Sequence, residues 1–259
     1  MSTQRPAATT PGSSALANIL TLARRELGFY FNSPIAFITI PLFLVVCGVF
    51  LFTVDDPETK RSFFETNEAS LRKLFEAIPV VFIFLVPAIS MRLIAEEKRS
   101  GTIELLVTMP VTDTQIALGK FLGGLAFVAI ALASTLPLVA IVGALGPLDI
   151  GVVIGGYFGM LLVGATYLAI GLMTSAWTSN QIVAYLVAAI ICAFFYYVGG
   201  MLESVWAGAQ DALAFLSFEA HAANLAKGVI DTRDVLFYLS FITVALVLTV
   251  QSLQARNWR

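Results

Sequence analysis

Charged residues are absent from long stretches of this chain. Ile35–Val54, Phe121–Leu148, Ile150–Leu202 and Val235–Ala255 contain no Asp, Glu, Lys or Arg. A charge at the centre of a bilayer costs roughly 2.5–3.5 kcal/mol on insertion scales, and about 20 apolar residues cross the hydrocarbon as a helix. Each run is therefore a membrane span. The third, at 53 residues, is too long for one crossing and divides at the polar segment Thr174–Gln181.

Ala77–Met91 is shorter. It reaches membrane length when Leu74, Phe75, Leu93 and Ile94 extend it and Glu76 and Arg92 snorkel from its ends. Counting it gives six spans, at about 35–54, 75–94, 116–143, 150–173, 181–201 and 235–254; leaving it out gives five. Barrel strands need only about 9–11 residues of alternating polarity, so these lengths predict an all-α polytopic membrane protein. Pro41, Pro79, Pro87 and Pro137 fall inside spans, where neighbouring helices can satisfy the freed backbone groups.

The first span has a distinct approach. Residues 1–14 are polar with small residues and proline, and read as a disordered tail. Between Ala15 and Phe31, the residues Leu16, Ile19, Leu20, Ala23, Leu27 and Tyr30 share one helical face, interrupted by Arg24, Arg25 and Glu26. This pattern predicts an amphipathic elbow helix in the interface, turned into the span by Asn32-Ser33-Pro34; simple continuity with the span is the alternative. Residues 55–70 read as a solvated loop. Residues 203–234 form a longer external segment, with Trp206, Leu213, Phe215, Leu216 and Phe218 on short helices at or in the membrane. Gly228 is placed to end one such helix, and Asp231 or Asp234 to cap the next.

Composition agrees with this reading and narrows the chemistry. Of 259 residues, 58% are hydrophobic and 12% charged, and the mean hydropathy is +0.88. These values exclude an ordinary soluble enzyme and a disordered protein. A net charge of -2 excludes a basic nucleic-acid binder. Cys47 and Cys192 lie in apolar runs as buried free thiols, and with the single His221 they are too few for a zinc cluster. With the N-terminus inside, the inner side carries Arg5, Arg24, Arg25, Arg92, Lys98, Arg99, Lys120, Arg256 and Arg259. The outer side carries Lys60, Arg61, Arg72, Lys73, Lys227 and Arg233. This mild excess favours cytoplasmic termini. Gly151, Gly155 and Gly159, four apart on the fourth span, form a close-packing stripe, used within the chain or at a dimer face.

The segment from Met91 to Lys120 joins spans two and three and is heavily punctuated. A helix leaves the membrane through Arg92 to Glu97, and Gly101 breaks it. Thr102 caps a short helix with Glu104 in its first turn, and Ile103, Leu106 and Met109 form an apolar edge. Pro110 stops this helix, and Thr112 with Gln115 makes a capping box for span three. A short rigid helix of this kind either packs on its own bundle or docks into a groove of a soluble partner. Glu97 is placed to pair with an arginine of that partner, or with Lys98 or Arg99 on its own helix.

Glu96-Glu97-Lys98-Arg99-Ser100-Gly101-Thr102-Ile103-Glu104-Leu105-Leu106, followed by Met109-Pro110-Val111, resembles the signature of ABC-2 type transporter permeases. The nearest branch is the gliding-motility-associated permease; the nitrous-oxide-reductase maturation permease is more distant. The likeness continues in Trp177 to Val183, in Phe218, His221, Asn224 and Lys227 to Asp231, in Arg233-Asp234-Val235 and at Trp258-Arg259. It covers most of the chain from Ala15, which reads as one transmembrane domain over 15–259. The resemblance implies six helices behind an elbow helix, in the bacterial inner membrane. It implies pairing with a second permease, same or different, and with two cytoplasmic ATPase subunits that hold ATP and Mg, plus a substrate-binding-like accessory partner. The coupling segment is then 95–115, with Glu96, Glu97, Arg99, Gly101, Thr102, Glu104, Leu106, Met109 and Pro110 as the residues that engage the ATPase.

This chain has no motor of its own by sequence: Gly119-Lys120 is followed by Phe121 and lacks the phosphate-cradling loop. The resemblance makes export the expected direction. Three other readings compete, one of them a purely structural membrane anchor, which predicts no substrate movement and no ATPase stimulation. An ion-coupled transporter usually carries a mid-membrane ionisable group, and the apolar runs hold none. An intramembrane enzyme needs a base, and the sole His221 falls in the external segment as an interfacial or capping residue.

Overall fold

The structure is a computed structural model that describes residues 11–53, 71–102, 111–203, 216–229 and 231–255. Among these residues it is mostly helical, with short turns between helices and no strand. The elements are α1 (Pro11–Phe31), α2 (Pro34–Thr53), α3 (Arg72–Ser90), α4 (Ala95–Ser100), α5 (Asp113–Ala133), α6 (Leu136–Leu145), α7 (Ile150–Trp177), α8 (Gln181–Glu203), α9 (Phe218–Ala226) and α10 (Thr232–Gln254). Six stretches are long and apolar enough to cross a membrane: α2, α3 with α4, α5 with α6, α7, α8 and α10. The protein is an all-α polytopic membrane protein. The expected loop 55–70 and Trp206, Leu213 and Phe215 lie outside the described residues.

Burial orders the bundle. Two-thirds (67%) of the most apolar windows of the α3 and α7 stretches is buried, against 22% for α2 and α10, so α3 and α7 form the centre. Glycines on α7 admit the neighbours. A side chain at Gly156 would meet the Phe75 ring of α3, and one at Gly164 would lie 2.7 Å from Val128 of α5. Lipid is as apolar as leucine, so helices associate through this close packing rather than through a hydrophobic drive. At the end of the bundle opposite α1, the short helix α9 is tucked under α10. Phe218 stacks on Phe195 at 5.4 Å, and Tyr238 donates to the Phe218 carbonyl at 2.9 Å.

Several boundaries differ from the sequence expectation, each for a local reason. Helix α1 starts at Pro11, inside the stretch expected to be tail; proline is favoured in a helix's first turn. The second span does not run on from 75 to 94 and out of the membrane as one helix. Helix α3 stops at Ser90, residues 91–94 form a turn, and α4 starts afresh at Ala95. The third span breaks between Ala133 and Leu136, ahead of Pro137. There the Thr135 hydroxyl bonds both the Leu132 carbonyl and the Tyr157 hydroxyl at 2.7 Å. The fourth span continues past 173 to Trp177, because its polar residues turn inward: Thr174 donates to the Gly171 and Ala184 carbonyls. Thr112 and Gln115 form the expected capping box on α5, and Gly228 closes α9 with φ 77°.

Candidate functional site

The site lies where α1, the start of α5 and the α3–α4 turn meet. Helix α1 crosses α5 through two glycines. A Cβ on Gly119 would sit 2.6 Å from Leu22 Cβ, and one on Gly123 would sit 2.7 Å from Glu26 Cβ and 2.9 Å from the Ala23 carbonyl oxygen. Only glycine allows this approach. The face that α1 presents to the bundle therefore runs through Ile19, Leu22, Ala23, Glu26 and Tyr30. Leu16 and Leu20, on the apolar face expected to lie in the membrane interface, are exposed rather than packed on the bundle.

Lys120 lies between the two glycines. Its side chain extends along the helix contact, and the residue is only 1% exposed. Its Nζ donates to Glu26 Oε1 of α1 at 2.8 Å and to Glu97 Oε1 of α4 at 2.8 Å. A buried ammonium with two carboxylates thus ties three helices together. Such an arrangement is held by geometry: taking one partner away strands the others in a place where an unpaired charge is costly.

Helix α4 is also pinned from the other side. Ser175 Oγ, near the end of α7, accepts from the backbone N–H groups of Ile94 (3.1 Å) and Ala95 (2.9 Å), and donates to the Met91 carbonyl at 2.9 Å. These are the groups freed by the break in the second span, and one hydroxyl satisfies them. Lys98 Nζ and Ser252 Oγ both donate to the Ala176 carbonyl, the latter at 2.8 Å, so α4, α7 and α10 share one anchor. Gly101 ends α4 with φ 72°, a left-handed conformation that favours glycine, and the Ser100 and Thr102 hydroxyls bond each other at 2.8 Å.

At the outer edge of this junction Arg92 lies over the Phe29 ring, 5.1 Å from its centroid. The Tyr30 hydroxyl donates to the Ile89 carbonyl at 3.3 Å. Burial, with the Glu26 carboxylate nearby, pushes the Tyr30 phenol well above its ordinary pKa, so it stays a neutral donor.

The structure treats the expected coupling residues unevenly. Glu96 pairs with Arg99 across one turn at 3.0 Å, a mostly exposed contact worth about 0–1 kcal/mol. Glu97 reaches neither Lys98 nor Arg99 but the buried Lys120. Gly101 and Thr102 follow at the end of α4. Glu104, Leu106, Met109 and Pro110 lie outside the described residues. Three residues of the junction, Glu26, Lys120 and Ser175, were not among those expected. The available signal was a lysine flanked by Gly119 and Gly123 within a run that is otherwise apolar.

At the opposite end, a side chain at Gly155 would lie 2.9 Å from Gly228, and one at Gly159 would collide with Leu225; both positions face α9 of the same chain. Gly151 is next to the Asp149 cap. His221 is buried, stacked on Phe237 at 4.0 Å, with Nδ1 2.5 Å from Asp234 Oδ1. Asp231 is the residue that caps α10.

Six apolar spans behind an amphipathic elbow, with a pinned helical extension wired to that elbow, define a multi-pass membrane domain with one mechanically connected end. Residues 20–258 match the family model of the ABC-2 family transporter proteins, and the chain belongs to that family. It is the membrane-embedded permease component of an ABC transporter, a family whose permeases associate with an ABC ATPase. No protein of curated function matches the chain.

Proposed function

We propose that this permease is an exporter subunit of the bacterial inner membrane, with both termini cytoplasmic, driven by ATP and Mg bound to two copies of a separate ATPase chain. A second permease, same or different, completes the conduit. The gliding-motility-associated branch and its substrate-binding-like accessory partner rest on the likeness of residues 96–111 and 177–183. In this reading, residues 95–115 receive the ATPase's movement. Glu97 passes it through Lys120 to α5 and through Glu26 to the elbow, while the Ser175 and Lys98 contacts pass it to α7 and α10.

The Glu26–Lys120–Glu97 cluster is the observation that carries this proposal. A segment that only closed a loop would need no buried charge linking it to two other helices. The test is co-expression with the cognate ATPase, followed by purification of the complex and measurement of ATP hydrolysis and of cargo movement in vesicles. Glu97→Lys and Leu106→Asp are expected to insert normally and to lose ATPase association or its stimulation. Unchanged co-purification and hydrolysis in both variants would refute the assignment of 95–115.

A further inference from the structure

The only histidine of the chain is buried against a carboxylate at the end of the bundle opposite α1. His221 lies on the packed face of α9 with Phe218, Ala222, Leu225 and Ala226, and Asp234 lies in the first turn of α10. The two residues are 7% and 3% exposed. One carboxylate oxygen, Oδ1, meets His221 Nδ1; the other, Oδ2, is buried with no hydrogen-bond partner among the described residues. Capping does not account for this placement of Asp234, because Asp231 caps α10. Phe237 and Tyr238 wall the pair with rings, and the Tyr238 hydroxyl is already engaged by the Phe218 carbonyl. An ionisable pair kept inside a membrane domain at such a cost points to a role beyond packing.

Charge counting shows what the pair can hold. With a neutral imidazole, Nδ1–H donates to the carboxylate, and the pair buries one net negative charge with an oxygen left bare. With one more proton it is an imidazolium beside a carboxylate, and its net charge is zero. An uncompensated buried charge is costly, and the positive helix end at the first turn of α10 favours the proton on the ring rather than on the carboxylate. Around this pair, α9 itself carries Glu219 and Lys227, and α10 carries Asp231 and Arg233, all four exposed. Helix α3 adds Lys73, Arg72 and Glu76, the last two paired with each other at 2.6 Å. Helix α8 adds the phenols of Tyr196 and Tyr197, and α7 that of Tyr167. Charges with access to water are screened, so the proton sets the balance inside the contact.

Helix α9 is a short element with few polar ties. It lies against α7 at Gly159, and Gly228, just beyond its end, lies against Gly155. The Ser217 hydroxyl donates to the Tyr196 carbonyl at 3.2 Å, and Tyr238 donates to the Phe218 carbonyl. Neither contact changes charge near neutral pH, whereas imidazoles do so between about pH 5 and 8. We infer that His221 and Asp234 form a proton-binding site: α9 in its packed position holds one proton taken from the solution at that end of the bundle, and α9 moving off α10 releases it to water. The contact is then tightest at low pH and loosens as pH rises. The inference depends on the permease fold alone, not on the ATPase contact or the direction of transport.

The test uses the purified full chain in a neutral detergent and two readouts over about pH 5 to 8. Isotope-labelled histidine gives a single imidazole signal by NMR, which reports the charge on His221. Spin labels on cysteines at the exposed positions Ala220 of α9 and Leu20 of α1, with the buried Cys47 and Cys192 replaced by alanine, report the position of α9 as a distance distribution. A second distance population, minor at the acid end, is expected to grow severalfold toward the alkaline end, over the range in which the imidazole loses its charge. His221→Gln and Asp234→Asn should each abolish that pH response, and either one decides if the other does not fold. Tyr238→Phe, which loosens the same helix contact without removing a titrating group, should keep it. An imidazole of constant charge, a distance distribution indifferent to pH in the parent, or a pH response that survives both His221→Gln and Asp234→Asn would overturn the site. Loss of the response in Tyr238→Phe as well would reduce the pair to one packing contact among several and overturn it too.

Discussion

Replacing Lys120 with Met tests the junction most directly. The substitution keeps the length and apolar stem of the side chain and removes the ammonium. Two contacts of 2.8 Å vanish together, and the Glu26 and Glu97 side chains, only 12% and 16% exposed, are left facing one another. Deleting one partner of a buried ion pair typically costs about 3–5 kcal/mol. Because both carboxylates keep some contact with water, the lower end of that range is expected. The assay is reversible unfolding of the full chain in mixed micelles by titration with dodecyl sulfate, alongside ATPase stimulation in the assembled complex. The triple variant Lys120→Met, Glu26→Gln, Glu97→Gln separates charge from shape. It should recover to within about 1–2 kcal/mol of the parent, since a neutral replacement of similar volume strands no charge. ATPase stimulation should stay low in the triple variant, because the connection is weakened even where stability returns. A single variant that loses less than about 1 kcal/mol would refute the reasoning, as would a triple variant no more stable than the single one.

Ser175→Ala removes one hydroxyl that serves two backbone donors, and should cost about 1–3 kcal/mol, with faster hydrogen exchange at Ile94 and Ala95. Gly123→Leu places a side chain where Glu26 Cβ already lies at 2.7 Å, and should destabilise by about 1–3 kcal/mol; a cysteine crosslink between α1 and α5 should form more slowly. Gly159→Leu should displace α9 at a similar cost of about 1–3 kcal/mol, read as increased protease access near Leu225. Tyr238→Phe removes the hydrogen bond to the Phe218 carbonyl and should cost about 0.5–1.5 kcal/mol by the same unfolding titration.

Much of the candidate site was legible in part. The punctuation of Met91–Lys120 was visible because caps and breakers act locally: the Thr112–Gln115 box and the left-handed Gly101 depend on neighbours a few residues away. Glu97 stood out for the same reason, as a charge beside a membrane boundary, yet its partner did not. Lys98 and Arg99 are adjacent in the chain, but the ammonium that reaches Glu97 is 23 residues on, and the same ammonium bonds a glutamate 94 residues back. The partner of His221 was hidden in the same way. Its neighbour in sequence is Glu219, but the fold of α9 under α10 brings it to Asp234.

Hydropathy along the chain was sufficient to place six membrane crossings and an amphipathic lead-in, because the transfer of each helix into hydrocarbon is decided by its own residues, nearly independently of the rest. Where those helices touch is another matter. The break at 91–94 persists because a serine about 80 positions away satisfies it, and the elbow reaches α5 because Gly119 and Gly123 leave room for its backbone. Such contacts depend on shape and on charges meeting across helices in a medium that offers them no water, and only the tertiary arrangement selects which ones meet.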